Sequence, residues 1–158
     1  MRVGITGHRG LSSAVEVQTR ALLAEAVALY EPGELVAVSC IADGPDTWFA
    51  LAVLERGGGL EVVLPAQDYR ADLPEWHHST YDELLRRAAA VHRTGLVASG
   101  SHAHMAGGEL LAESVEVLIA VWDGQPARGL GGTADVVAHA ERNGVPVRVL
   151  WPEGAVRD

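Results

Sequence analysis

Two textures alternate along this chain. In one, nearly every position of a short run is apolar: Val3–Thr6, Leu35–Cys40, Leu60–Leu64, Val115–Trp122 and Val145–Trp151. Such runs read as strands buried on both faces. In the other, apolar residues recur at helical spacing. Ser13-x-x-Glu16 has the form of a capping box, and Val15, Leu22, Ala26 and Leu29 share one helical face until Pro32-Gly33. Asp43-Gly44-Pro45-Asp46 gives a turn and a helix start, since aspartate caps and proline suits the first turn. That helix runs through Phe49 and Val53 and stops at Gly57-Gly58-Gly59. Pro65 closes the third strand, and residues 66–79 read as a polar excursion. Thr80-x-x-Glu83, a second capping box, opens the helix "YDELLRRAAAV". From His92 to Gly108 no period emerges, and Glu109–Ser114 reads as helix. Thr133 through Arg142 is a helix stopped by Asn143-Gly144.

Strand and helix in alternation predict an α/β fold. The expectation is a single Rossmann-like domain over residues 1–158, three-layered (α/β/α). Its sheet is mainly parallel, with about five strands or more and a core order of 3-2-1-4-5. In such sheets ligands sit beyond the carboxyl ends of the strands, where the strand order reverses. Here that point lies between the first strand and "VEVLIAVW".

Both strands at that point run into glycine. After the first comes Gly7-His8-Arg9-Gly10, and after the other comes a loop ending in Gly129, Gly131 and Gly132 before Thr133. A glycine-rich turn lets backbone N–H groups approach a phosphate, and a helix N-terminus adds partial positive charge. Thr133 caps the helix or gives its hydroxyl to the phosphate, and His8 and Arg9 supply a charged clamp. A third loop, "SCIADGPDTWFALAV", follows the neighbouring strand. Ser39, Asp43, Gly44 and Asp46 in it are ligand candidates: its aspartates can accept from ribose hydroxyls, or serve only as helix caps. Trp122, at the end of the strand that feeds the glycine loop, is the best placed of the four tryptophans to stack on a base.

Composition narrows the chemistry. The 158 residues carry 21 carboxylates against 12 cations, a net charge of −9, and every one of those cations is arginine. That balance argues against nucleic acid as a partner. The absence of lysine removes the Walker A loop, the Schiff-base enzymes and the serine–lysine nucleophile. Cys40 alone gives neither a disulfide framework nor a thiolate zinc site. His77-His78 and His102-x-His104 read as surface or loop histidines, and no metal site is expected. With no signal peptide before the first strand and no apolar run near ~20 residues, the expectation is a soluble cytoplasmic domain.

"VGITGHRGL", "SCIADGPDTWFA" and "VEVLIAVWDG…GLGGTADVVAHAERNGVPV" resemble the signature segments of the SLOG superfamily. These are Rossmann-like nucleotide-binding domains related to DprA, to the LONELY GUY enzymes and to molybdenum-cofactor carrier proteins. The resemblance covers almost the whole chain and is weakest between about residues 66 and 108. It implies a nucleotide or nucleotide-derived ligand on the "GGT" loop, and a homodimer by analogy with relatives. LONELY GUY enzymes carry a glutamate three residues after the glycine-threonine pair. Here that position is Val136, with Asp135 one residue earlier, and the family's upstream arginine falls near Gly107.

The expected function is therefore a sensor or carrier of a small phosphorylated ligand. No cofactor is expected beyond a bound nucleotide or phosphate, and no catalytic residue is assigned. The alternative is a hydrolase or transferase acting on an N-glycosidic bond, with Asp135 or Asp43 as acid or nucleophile.

Overall fold

Strands with apolar side chains on both faces are stable only when both faces are covered. The computed structural model, which describes residues 1–157, meets that demand with a six-stranded sheet between two layers of helices. The strands are β1 (Arg2–Gly7), β2 (Val36–Ser39), β3 (Gly59–Leu64), β4 (Ala90–Arg93), β5 (Val117–Val121) and β6 (Val147–Leu150). The helices are α1 (Ser13–Ala28), α2 (Pro45–Glu55), α3 (Tyr69–Asp72), α4 (His78–Arg87), α5 (Ser101–Glu113) and α6 (Thr133–Arg142). A 3₁₀ turn, Glu75–His77, leads into α4. Every strand pair is parallel and the order is β4-β3-β2-β1-β5-β6. This is the expected order with one strand added at the edge.

Alternation along each strand divides the core in two. Val3 and Ile5 of β1, with Leu60, Val62, Ile119 and Val121, pack against Leu23 and Val27 of α1, Phe49 and Val53 of α2, and Leu84 of α4. Val38, Val63 and Leu118 point the other way, onto Leu111 and Ala112 of α5 and Val136 and Ala140 of α6. Each such side chain contributes on the order of 1.5–3 kcal/mol by leaving water. Gly4 faces the second layer, and a Cβ there would lie 2.8 Å from Leu111 Cδ2. The missing side chain is what lets α5 lie close over β1.

Several boundaries differ from the sequence reading, each for a physical reason. The stretch "YDELLRRAAAV" is divided: α4 ends at Arg87, and Ala90 opens β4. This edge strand is only partly buried, so it lacks the apolar run that marks the inner strands. Its His92 Nε2 lies 2.8 Å from Glu61 Oε1, and Arg2 pairs with the same carboxylate. Thr80 does not open α4, which begins at His78. The cap of α1 is Ser12, whose hydroxyl accepts from the Val15 N–H at 3.3 Å. The buried face of α1 is Val15, Thr19, Leu23, Ala26 and Val27, while Leu29 is 70% exposed. The unassigned stretch becomes most of α5. Its Gly107 and Gly108 weaken helix propensity by ~1 kcal/mol each. Tertiary contact overrides them, because a Cβ at Gly107 would meet Pro65 at 2.9 Å and one at Gly108 would meet Val136 at 2.6 Å.

The turn between α2 and β3 is equally tight. A Cβ at Gly58 would stand 2.5 Å from the Leu35 carbonyl oxygen and 2.5 Å from Val53 Cγ1. Because backbone is one of the two obstacles, rotamer change cannot relieve both. Gly58→Ala is expected to destabilise the fold by about 1–3 kcal/mol, as overpacking does elsewhere. Urea midpoints of the two proteins measure this, and an unchanged midpoint would contradict it.

Candidate functional site

The carboxyl ends of β1 and β2, Pro65 after β3 and the N-terminus of α6 converge on one cavity of about 260 Å³. The convergence starts at Gly7. A Cβ there would stand 2.8 Å from Pro45 Cβ and 2.9 Å from Val121 Cβ, so β1, β5 and the start of α2 meet only around a glycine. The pairing extends one residue further, with the His8 N–H donating to the Val121 carbonyl at 3.1 Å. The His8 ring is 3% exposed, and its Nε2 lies 3.1 Å from Asp123 Oδ1. Its edge packs on Trp151, with centroids 5.6 Å apart. Burial lowers the His8 pKa, against the opposing pull of Asp123. The ring is thus neutral at neutral pH and supplies a polar wall rather than a charge.

Arg9 turns across to the second loop. Its Nε and Nη2 both reach Asp43 Oδ1, at 2.9 and 2.7 Å. That loop carries backbone strain. Ile41 has φ +49°, a region that β-branched residues avoid. Four side chains hold it there. Ser39 Oγ accepts from the Ile41 N–H at 2.9 Å, and Asp46 Oδ2 accepts from the Ala42 N–H at 3.3 Å. Thr47 donates to the Ala42 carbonyl at 2.7 Å, and His77 Nε2 donates to the Ile41 carbonyl at 2.9 Å. Strain fixed by so many surrounding bonds is a mark of functional loops.

Across the cavity, Gly131 takes φ +84° and gives its N–H to Asp135 Oδ2 at 3.0 Å. Gly132 is the residue before α6, and no side chain caps the helix. The Asp135 N–H donates to the Gly132 carbonyl at 3.1 Å, so among the first-turn groups the Thr133 and Ala134 N–H are left for a partner outside the helix. Thr133 does not cap. It is the first helical residue, lines the cavity, and its hydroxyl makes no hydrogen bond among the described residues.

The cavity thus gathers Gly7, His8, Arg9, Asp46, Gly131, Gly132 and Thr133 from the sequence-level candidates. The other five candidates do not line it. Gly10 and Gly44 supply positive-φ turns. Ser39 braces the strained loop by donating to the Asp46 carbonyl at 3.0 Å, and Asp43 tethers Arg9. Trp122 donates its Nε1–H to the Gln125 carbonyl at 2.9 Å, and it is Trp151 that touches His8.

Residues not singled out complete the wall: Cys40, Tyr69, His104 and Arg157 among them. Burial pushes the Cys40 thiol and the Tyr69 phenol up, so both stay protonated. His104 packs edge-on against Tyr69, with its Nε2 3.3 Å from Ser99 Oγ. Two histidines read as surface groups are therefore not so: His104 faces the cavity, and His77 is 2% exposed. The "SHAHMAGG" segment concealed this, since its glycines mask the helix that aims His104 inward.

The carboxylates weighed as catalysts are both occupied, Asp135 by the Gly131 N–H and Asp43 by Arg9. Val136 and Gly107, at the LONELY GUY glutamate and arginine positions, present a methyl surface and a hydrogen. A separate cluster on α5 and α6, Glu109, Glu113 and His139, brings three metal-type ligand atoms within 4.8 Å of one another. His139 Nε2 already lies 2.9 Å from Glu113, and none of the three lines the cavity.

No protein-family model and no curated protein matches the chain. Solved structures do. DprA from Streptococcus pneumoniae aligns with a TM-score of 0.68 at 20% identity, over 97% of this chain and 51% of that one. DprA from Helicobacter pylori aligns at 0.67 and 19%, over 98% of this chain and 66% of that one. The fold of this chain is therefore the fold of these domains. The molybdenum cofactor binding protein of Rippkaea orientalis shares it, with a TM-score of 0.59 at 18% identity, over 94% of this chain and 74% of its own. This chain spans about half of the first DprA protein and about two thirds of the second. One expectation is corrected by these neighbours. Net acidity argues against nucleic acid, yet the Helicobacter pylori protein of the same fold is described by its single-stranded DNA binding mode. The error lies in using a sum: a ligand meets the local field of one face, not the charge of the whole chain. Among the described residues no helix is long and apolar enough to cross a membrane.

Asp46 gives the site a pH signature. Burial pushes its carboxyl up to about 7, against the Ala42 N–H and the charge of Arg9. An unfolded aspartate titrates near ~4. Between those values the folded chain holds a proton that the unfolded chain has released, so stability falls as pH rises through this window. Asp46→Asn cannot ionise. Its loss of stability between about pH 5 and about pH 8, from urea midpoints, should be smaller than that of the natural protein. An equal or larger loss would show that Asp46 is already ionised at the lower pH.

Proposed function

We propose that the cavity binds a small phosphorylated ligand, a nucleotide or nucleotide derivative, and that the protein acts as its sensor or carrier. The phosphate lies at the turn Gly131–Thr133, and the Gly7–Gly10 turn forms the facing wall. The observation that carries this reading is the uncapped start of α6, opening with an uncommitted Thr133 hydroxyl into a half-open cavity. Backbone N–H groups and the helix dipole there favour an anion. The neutral His8 and the protonated Cys40 and Tyr69 suit an uncharged, hydrogen-bonding remainder such as a sugar or base. The neighbours of this fold are described as binding molybdenum cofactor and single-stranded DNA. Short oligonucleotides therefore belong in the ligand panel beside free nucleotides.

One observation favours the second reading, cleavage of an N-glycosidic bond. Asp46 lines the cavity and titrates at about 7, the range in which a carboxyl group can give up a proton as a general acid. In this version Asp46, rather than Asp135 or Asp43, protonates the departing base.

Two measurements decide. Calorimetry should show binding of a nucleoside monophosphate that Gly131→Ala abolishes, because a Cβ at φ +84° would also stand 2.7 Å from the Met105 nitrogen. Full affinity in Gly131→Ala, or none in the natural protein toward any nucleotide or oligonucleotide, contradicts the proposal. Incubation with adenosine monophosphate should release no adenine. Release that Asp46→Asn removes while binding persists would establish the enzymatic reading instead.

A further inference from the structure

The charged groups around the cavity are not equally available. Arg9 has committed two of its nitrogens to Asp43, an ion pair that joins the first loop to the strained one. His8 is neutral and held by Asp123. Arg157 also lines the cavity, and it makes no hydrogen bond or ion pair among the described residues. Its position follows from the chain after β6. The Trp151 Nε1–H donates to the Ala155 carbonyl at 3.1 Å, and the Ala155 N–H donates to the Pro152 carbonyl at 3.1 Å. With Gly154 at φ +76°, this turn folds the chain back toward the carboxyl ends of β1 and β5. Trp151 packs there on His8, and the charge of Arg157 acts on both His8 and Asp123.

A guanidinium is planar, always charged and matched to two oxygens of a phosphate. Partly desolvated and making no hydrogen bond among the described residues, it gains most from an anion brought in by a ligand. We infer that Arg157 is the cation of this site: the ligand's anionic group lies between its guanidinium and the Gly131–Thr133 turn, while Arg9 serves as a tether between loops. This rests on the phosphorylated-ligand reading above and adds the residue that selects for charge.

The test uses inorganic phosphate, adenosine monophosphate and uncharged adenosine, titrated by calorimetry at fixed salt against the natural protein, Arg157→Gln, Arg157→Lys and Arg9→Gln. Arg157→Gln should lose about ten-fold or more in affinity for phosphate and for the monophosphate, the scale of one charge-assisted bond. Its affinity for adenosine should not change, and Arg157→Lys should keep part of what is lost. Arg9→Gln should lose less than Arg157→Gln. Because Arg157 follows the last strand, the thermal midpoint of Arg157→Gln should match that of the natural protein. Equal monophosphate binding by Arg157→Gln and the natural protein overturns the assignment and leaves the phosphate site standing. An equal loss for adenosine also overturns it, by showing that the residue only packs. Failure of the natural protein to bind either phosphate compound removes both the assignment and the reading beneath it.

Discussion

The parallel hydrogen bonds between β1 and β5 fix where everything else in this molecule lies. They set Gly7 beside Val121 and then let His8 take one more bond from the same neighbour. More than a hundred residues separate the two strands in the chain, yet their ends share one rim. The crossovers through α1 and α6 leave that rim on opposite faces of the sheet, so no helix covers the gap between the loops. The opening is thus a product of topology. The residues around it decide only what fills it.

Much of this was readable from order and composition alone. Strands buried on both sides announce themselves as apolar runs, and the reversal point follows from their sequence. Glycine marks Gly7, Gly131 and Gly132, where backbones must pass close, as a Cβ at any of the three would show. What could not be read has a common cause. β4 is a half-covered edge that uses polar pairs with Glu61 in place of apolar burial. α5 carries glycines that its neighbours require and its propensity resists. Tyr69, His104 and Arg157 come from three segments without a periodic signal, and only packing brings them to the cavity. The tryptophans illustrate the limit well. Trp122 and Trp151 both follow strands that end on the same rim, and a single step along a strand reverses the face a side chain takes. The ring that meets His8 is the one the sequence did not favour.

The charge pattern also needs three dimensions. Twelve arginines among 21 carboxylates make an acidic chain, and several of the cations are spent on nearby acids. Arg2 with Glu61, Arg9 with Asp43 and Arg70 with Asp82 are examples. Such pairs cancel charge locally while fixing loops and edges. A chain built this way has a strongly negative sum, while the field met by a ligand is set by the few charges that face it.

The contact beneath Gly131 extends this to motion. Its α-carbon lies so near the start of α5 that an added methyl would meet the Ser101 carbonyl and the Met105 nitrogen. Dense packing of main chain on main chain does not slide or compress. The turn before α6 and the opening turn of α5 therefore form one rigid piece. That piece also carries His104, which lines the same cavity. A displacement of the Gly131 turn is therefore handed directly to His104, and the two parts of the wall move together rather than one loop at a time.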